Sequence, residues 1–482
     1  MNILRYPLIK TLLKNRWPQF TIMLIALAGF LLAILSGLFG TPVGSRNFGI
    51  VFVWIAWWAI LMLVAVPFLG RGWCSICPIP APGEWLQRGK LLGPDQIDHR
   101  EHRVHGENRK KNSVFGVYPE RSRRVRSVVR PLNKRWPKRL RNIWLQNGSF
   151  LLVALFSTVI LTQPKVTAIV LAAFLFVAVG TSLVFERRAF CRYLCPVGGF
   201  IGLYSQLAPI EVRVVDTDVC KAHTEKTCYT GSADGYGCPW DVFPPGMVKN
   251  TYCGTCMECL RTCPHDNIAI NIRSLGADLA VDRNRKLDEA YKAFIMLGAA
   301  AVYSTVLLGP WGSLKLAAYS VGTLHWLAYA ASFLTLILLA IPGLFWLTVW
   351  FGKKLSGSIQ PIKKLFIAQS YTLVPLGLSA WVAFSLSFVF ANFSYVLGAL
   401  SDPFGWGWNL LGTAGIAWTP WLTGLTPFVQ VGVLVGGFIW AATTSRQISA
   451  EKLDNTQALK LSAPVLAFCL ASTLTLMGLL VA

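Results

Sequence analysis

Long apolar runs separated by polar connections dominate the chain. Phe20–Leu38, Ile50–Leu69, Trp144–Thr162 and Thr167–Phe185 are each long enough to cross a ~30 Å hydrocarbon core as a helix. Five more follow near Ala293–Leu308, Leu324–Trp350, Leu365–Leu397, Phe428–Thr443 and Leu461–Ala482. The pattern predicts a polytopic α-helical membrane protein of about nine transmembrane helices. A two-helix hairpin is expected over residues 1–70, a second over 143–207, and a five-helix membrane domain over 288–482. Two polar stretches interrupt the runs. Residues 71–142 lack apolar periodicity, apart from a basic interfacial helix expected around Arg121–Arg141. Residues 208–287 predict a small inserted α+β domain.

Composition agrees: 54% of the 482 residues are hydrophobic and only 14% are charged. A net charge of +23 in a soluble domain would suggest nucleic acid. Here the cations follow topology. Arg5, Lys10, Lys14 and Arg16 precede the first run, and eighteen Arg and Lys lie between Arg71 and Arg141. The connections expected on the other side hold only Arg46, Lys165 and Lys315. This is the positive-inside bias, which argues for contact with anionic lipid and against nucleic acid. It predicts a bacterial inner (cytoplasmic) membrane protein with its N-terminus inside and its C-terminus outside. Met1–Trp17 is basic and interfacial, unlike a cleavable leader.

Eleven of the twelve cysteines fall in motif-like clusters, and Cys469 stands alone in an apolar run as a small buried residue. Cys253, Cys256, Cys259 and Cys263-Pro264 have the C-x2-C-x2-C-x3-C-P spacing of bacterial ferredoxins. Two-residue gaps let three thiolates meet one cubane from a tight loop, while the Cys-Pro cysteine serves a second. A zinc site, usually built from two separated pairs, explains the spacing less well. Cys220, Cys228 and Cys238 stand ahead of the loop. In the two-cluster arrangement Cys238 joins Cys253, Cys256 and Cys259, which leaves Cys263, Cys220 and Cys228 one ligand short. His223 sits at the C-x-x-C position after Cys220 and is the candidate for the eighth ligand; a three-iron cluster or another ligand is the alternative. His265, just after Cys263-Pro264, is expected behind the ligands or exposed, and not on iron.

Each predicted hairpin ends in a similar way. Arg71-Gly-Trp-Cys74-Ser-Ile-Cys77-Pro78 is matched by Arg188-Ala-Phe-Cys191-Arg-Tyr-Leu-Cys195-Pro196. An internal repeat of this kind would bring Cys74, Cys77, Cys191 and Cys195 together at the membrane surface. Four thiols there suit a third cluster, a pair of redox-active dithiols, or a soft metal ion. His99, His102 and His105 recur at three-residue intervals, but a solvated basic loop accounts for them as well as a metal does.

These Cys-Pro motifs, with Cys253 to Pro264, resemble the membrane polyferredoxins related to NapH, to the membrane part of NosR, and to the copper-reducing CcoG. The resemblance covers about residues 20–275. It implies two [4Fe-4S] clusters, paired Cys-Pro motifs at the membrane, and electron traffic with quinol or cytoplasmic donors and redox partners. Three departures stand out: the first Cys pair is a residue short, His223 replaces a cysteine, and neither a flavin-binding domain before the first span nor a soluble C-terminal domain is expected.

The Trp-rich run from Ser401 to Thr413 suits a membrane anchor or a docking surface equally. His325 is the only histidine in a predicted span, which excludes bis-His haem ligation within the chain; a helix–helix hydrogen bond or a quinone contact is its expected use. No nucleophile–base set, phosphate loop or dinucleotide fingerprint stands out, so the chemistry is expected to be that of cofactors. The reading that follows is an iron–sulfur electron-transfer subunit linking the quinone pool or a cytoplasmic donor to a respiratory partner, a cytochrome or a periplasmic reductase. The alternative is a copper reductase or assembly factor. A transporter is less favoured because embedded charges look sparse.

Overall fold

The computed structural model describes residues 1–91, 132, 134–280, 284–309 and 311–481. The three histidines at 99, 102 and 105, and most of the expected basic helix, lie outside the described residues.

A short amphipathic helix α1 (Pro7–Lys14) leads into α2 (Trp17–Phe39), and α3 (Phe48–Ser75) returns. After α4 (Ala81–Arg88) the second hairpin comprises α5 (Trp144–Leu155), α6 (Ser157–Thr162) and α7 (Pro164–Val184). Helix α8 (Pro196–Tyr204) follows the second Cys-Pro turn. The polar domain contains β1 (Ile210–Val214), α9 (Thr217–Ala222), α10 (Thr227–Thr230), α11 (Glu258–Thr262) and β2 (Ile268–Ile272). The C-terminal part contains α12 (Leu287–Leu308), α13 (Gly312–Tyr319), α14 (Leu324–Ser356), α15 (Ile362–Asn392), α16 (Tyr395–Ser401), α17 (Thr426–Ala450) and α18 (Asn455–Leu480).

Among the described residues eight helices are long and apolar enough to cross a membrane: α2, α3, α7, α12, α14, α15, α17 and α18. Two details differ from the hydropathy reading. The expected span Trp144–Thr162 is broken at Phe156, so α5 alone is short. The break adjoins the buried hydroxyls Ser157 and Thr158, the latter donating to the Ala318 carbonyl (2.9 Å). Helix α12 begins at Leu287 instead of Ala293, which carries Asp288, Glu289 and Lys292 into the packed bundle, all buried.

One core runs through the helices. Trp58, Phe200 and Trp381 pack on one another, and Phe294 packs on Phe345 and Phe366. Cys469 is fully buried in it. At one end of the bundle sits the polar domain. Its strands pair antiparallel, Ile210 opposite Ile272 and Val214 opposite Ile268. Asn2 bridges to Asn271 and covers the edge of β2. Val212, Leu260, Ile268, Ile270 and Leu4 form its small core.

The opposite end is built from connections. Thr41 N–H donates to the Phe404 carbonyl (2.8 Å) and Ser36 Oγ to the Pro403 carbonyl (2.6 Å). Beyond them Phe404, Trp406 and Trp408 pack on one another, with Asp402 accepting from the Trp406 and Gly407 amides. His325 stands at the start of α14 with its side chain outside the packed bundle, and among the described residues it makes no hydrogen bond to another helix.

Candidate iron–sulfur centres

The two Cys-Pro turns arrive at the same place by different windings. The first leaves α3 through a tight 3-10 segment, Gly70–Ser75, that carries Cys74. The second passes through a π turn, Phe190–Leu194, closed by the Cys195 amide donating to the Phe190 carbonyl (2.8 Å). A π turn holds more residues than a 3-10 turn, which absorbs the extra residue of C-x3-C over C-x2-C.

The arginine three residues before each first cysteine reaches across to the other copy. Arg71 Nη2 donates to the Cys191 carbonyl (3.2 Å), and Arg188 Nη1 donates to the Cys74 carbonyl (2.7 Å). This reciprocal bonding joins the repeats around a local pseudo-two-fold. Arg188 is also ion-paired with Glu84 of α4, both side chains buried. Burial alone would push the Glu84 carboxyl up, but Arg188 and then Arg88 outweigh it and hold it below the ordinary carboxylate range. The four thiols of Cys74, Cys77, Cys191 and Cys195 lie within electrostatic reach of one another.

The ferredoxin-type loop stands directly against this inner site. Arg71 Nη1 donates to the Thr251 carbonyl, and its charge acts on both Cys195 and Cys253. The charge of Arg188 acts on both Cys191 and Cys256. Trp240, 1% exposed, fills the space between, with Arg71 over its ring at 4.5 Å and Arg188 at 5.7 Å. A Cβ at position 254 would fall within 2.0 Å of the Trp240 Nε1 atom, so only glycine lets the indole approach the loop.

Cys238, Cys253, Cys256 and Cys259 form the middle group, each close enough to raise another's thiol. Cys259 in turn feels Cys228, which feels Cys263 and Cys220. Those three line a small cavity together with His223, His265 and Asn267. Asn267 donates from its amide to Cys263 Sγ (3.3 Å) and from its side chain to Cys220 Sγ (3.2 Å). His223 Nδ1 lies 3.3 Å from His265 Nε2, while His223 Nε2 is buried without a partner. The inner, middle and outer groups thus follow one another away from the bundle.

The residues fit iron–sulfur clusters on two counts. First, several orphaned buried polar atoms surround these groups: Arg71 Nε, Arg192 Nε, Thr251 Oγ1, Thr255 Oγ1, Trp240 Nε1 and His223 Nε2. Such atoms await acceptors or, for His223, an electrophile. Second, burial pushes the thiols up: Cys195, Cys228 and Cys253 to about 11, Cys256 to about 12, and Cys77, Cys191 and Cys259 also upward. Bare, these are neutral thiols, unlike the low-pKa cysteines of dithiol exchange; a bound cation would be needed to hold them as thiolates.

Sequence reasoning named every cysteine described here and His223, but not the groups between them. Arg71 and Arg188 were visible as the repeated R-x-aromatic-C. Trp240, directly after Cys238-Pro239, carried no signal of its own. Lys292 was hidden because the apolar run starts one residue later.

A 4Fe-4S binding domain family matches the chain twice, at residues 50–94 and 167–212. Each match covers the second helix of one hairpin and the Cys-Pro turn that follows it, so the similarity to a 4Fe-4S binding domain occurs in duplicate. The chain is 30% identical over 82 residues to YccM of Escherichia coli (strain K12), which is named as a candidate electron transport protein. That alignment covers 17% of this chain and 20% of YccM, so the chain spans about a fifth of the length of the curated relative it matches. No solved structure matches.

Proposed function

We propose that the chain is an iron–sulfur electron-transfer subunit of a membrane complex. The observation that carries the reading is the reciprocal Arg71–Cys191 and Arg188–Cys74 bonding, which gathers four cysteines at the bundle end against the ferredoxin-type loop. In this reading Cys74, Cys77, Cys191 and Cys195 hold an inner cluster. Cys238, Cys253, Cys256 and Cys259 hold a middle one. Cys220, Cys228, Cys263 and His223 hold an outer one. When bound, such clusters supply one-electron transfer. The protein supplies their order, a dry inner environment and fixed cations.

His223 suits ligation through Nε2, since its other nitrogen faces His265. A ligating imidazole commonly has its second nitrogen hydrogen-bonded in this way. The inner site also borders an apolar cavity lined by Pro196, Val197, Trp58, Phe150, Tyr303 and Trp381. A quinone ring would fit that aromatic lining, so the quinone pool is the donor or acceptor the cavity favours. With α5 and α6 counted as one interrupted crossing, the described residues would cross nine times. The basic, cysteine-bearing end then faces the cytoplasm and the C-terminus the opposite side. Passage of electrons to that side would need a haem-bearing or similar redox partner. The copper-handling alternative would use the same four cysteines, and the metal held by the purified protein separates the two.

The test is anaerobic purification with iron and sulfide quantification and EPR during stepwise reduction. Replacing Cys191 and Cys195 by Ser should remove about four iron atoms per chain and one EPR signal, leaving the rest intact. Unchanged iron and spectra in that variant would overturn the inner-cluster reading.

A further inference from the structure

Lys292 is a fully buried charge of the bundle that the reading above leaves unused. It lies one turn into α12 and is fully buried, so its stem cannot carry the ammonium out to water. Among the described residues no carboxylate oxygen lies within ion-pair distance of its Nζ. The acids beside it are engaged elsewhere: Asp288 accepts from the Ile143 amide (2.9 Å), and Glu289 is ion-paired with Lys249 (2.5 Å) and accepts from Tyr371 (2.6 Å). Lys292 Nζ instead faces the Gln146 carbonyl at 3.4 Å and the ring of Phe150 at 4.5 Å. A buried cation without an anion is costly, and the cost points to a partner the site gains in use.

The surroundings say where that partner lies. Gln146 uses its side-chain amide to bind the Cys191 carbonyl (3.0 Å), so the same residue touches both Lys292 and the inner site. Lys292 also acts electrostatically on Cys195. Gly199, four residues after Cys195, makes the approach possible: a Cβ there would lie 3.2 Å from Lys292 Cε and 3.0 Å from Gln146 Cβ. The chain thus opens α8 to admit a cation beside the four thiols.

We propose that Lys292 is a positioning residue that serves as the counter-charge of the inner four-cysteine cluster and raises its reduction potential. Four thiolates on a cubane leave net negative charge, and reduction adds one more. A fixed ammonium in a low-dielectric site stabilises the reduced form over the oxidised one. The inference rests on the inner-cluster reading above.

The test is an EPR-monitored redox titration of the anaerobically purified full chain with Lys292→Met, Lys292→Gln and Lys292→Arg. Both neutral variants should retain the inner-site iron and shift that signal alone to lower potential, while Lys292→Arg stays near wild type. Loss of inner-site iron in the neutral variants but not in Lys292→Arg would also support a charge role. An unchanged midpoint in both neutral variants, or equal iron loss in all three, would overturn it. The Cys191→Ser/Cys195→Ser variant separates the two claims. If that variant keeps wild-type iron and spectra, the inner cluster itself fails, whatever the Lys292 series shows.

Discussion

The inner and outer cysteine groups meet opposite environments within one chain. Around the inner group the cations are buried and bonded: Arg71 and Arg188 hold the carbonyls of each other's repeat, and Glu84 pairs with Arg188 out of water. Around the outer group they are half-exposed: Lys10 and Lys14 reach Asp266 at 3.1 and 2.9 Å, with the Asp266 side chain 55% exposed. The same kind of contact therefore has very different weight. Solvent screens the outer pairs, whereas the inner pairs act in a low dielectric and cannot be broken singly without stranding a charge. On the proposed reading, fixed charge would tune the inner site and ligand identity the outer one.

The largest effect should come from Glu84→Gln. It leaves Arg188 buried without its anion, and loss of one partner of a buried pair costs roughly 3–5 kcal/mol. A thermal unfolding series in detergent should show a marked drop in stability. Stability equal to wild type would mean that the inner site is more hydrated than its burial indicates.

Next is Arg71→Met, which removes one of the two reciprocal bonds and a buried charge-assisted contact worth about 1.5–3 kcal/mol. It should lower the potentials of the inner and middle centres together, because Arg71 acts on Cys195 and Cys253 alike. A shift confined to one signal would show that the two sites are less closely joined than the arginine suggests.

His223→Cys sharpens the contrast at the outer site. A thiolate in place of imidazole adds negative charge, so the outer cluster should persist at lower potential, while His223→Ala should drift toward a three-iron form. EPR line shape and redox titration read both. Wild-type behaviour in both variants would show that another residue completes that cluster.

The smallest effect is expected from Asp266→Asn. Exposed ion pairs are worth about 0.2–1 kcal/mol, so unfolding should change little. Hydrogen bonds from Lys14 and Lys10 hold the Asp266 carboxyl below its ordinary range. Its contribution is therefore present above the unfolded carboxylate pKa and lost as pH falls through the lower folded value. Wild type and Asp266→Asn should converge in stability on acidification. A gap that widens as pH falls would contradict the assignment.

Periodicity and spacing by themselves determined the polytopic helical architecture and pointed to the cysteines proposed to carry the chemistry. These are local properties: a span needs only an uninterrupted apolar run, and a cluster loop only its Cys spacing. The repeat of Arg-x-aromatic-Cys also predicted that two distant turns belong together. Tertiary structure decided what faces those turns. That Arg71 serves the second repeat and Arg188 the first depends on how two hairpins pack, which no window of sequence contains. Lys292 escaped notice because hydropathy counts it against a span, whereas packing admits it where Gly199 leaves room. Trp240 comes between the inner and middle sites because the polar domain folds back onto the bundle, a contact made across the chain and therefore invisible along it.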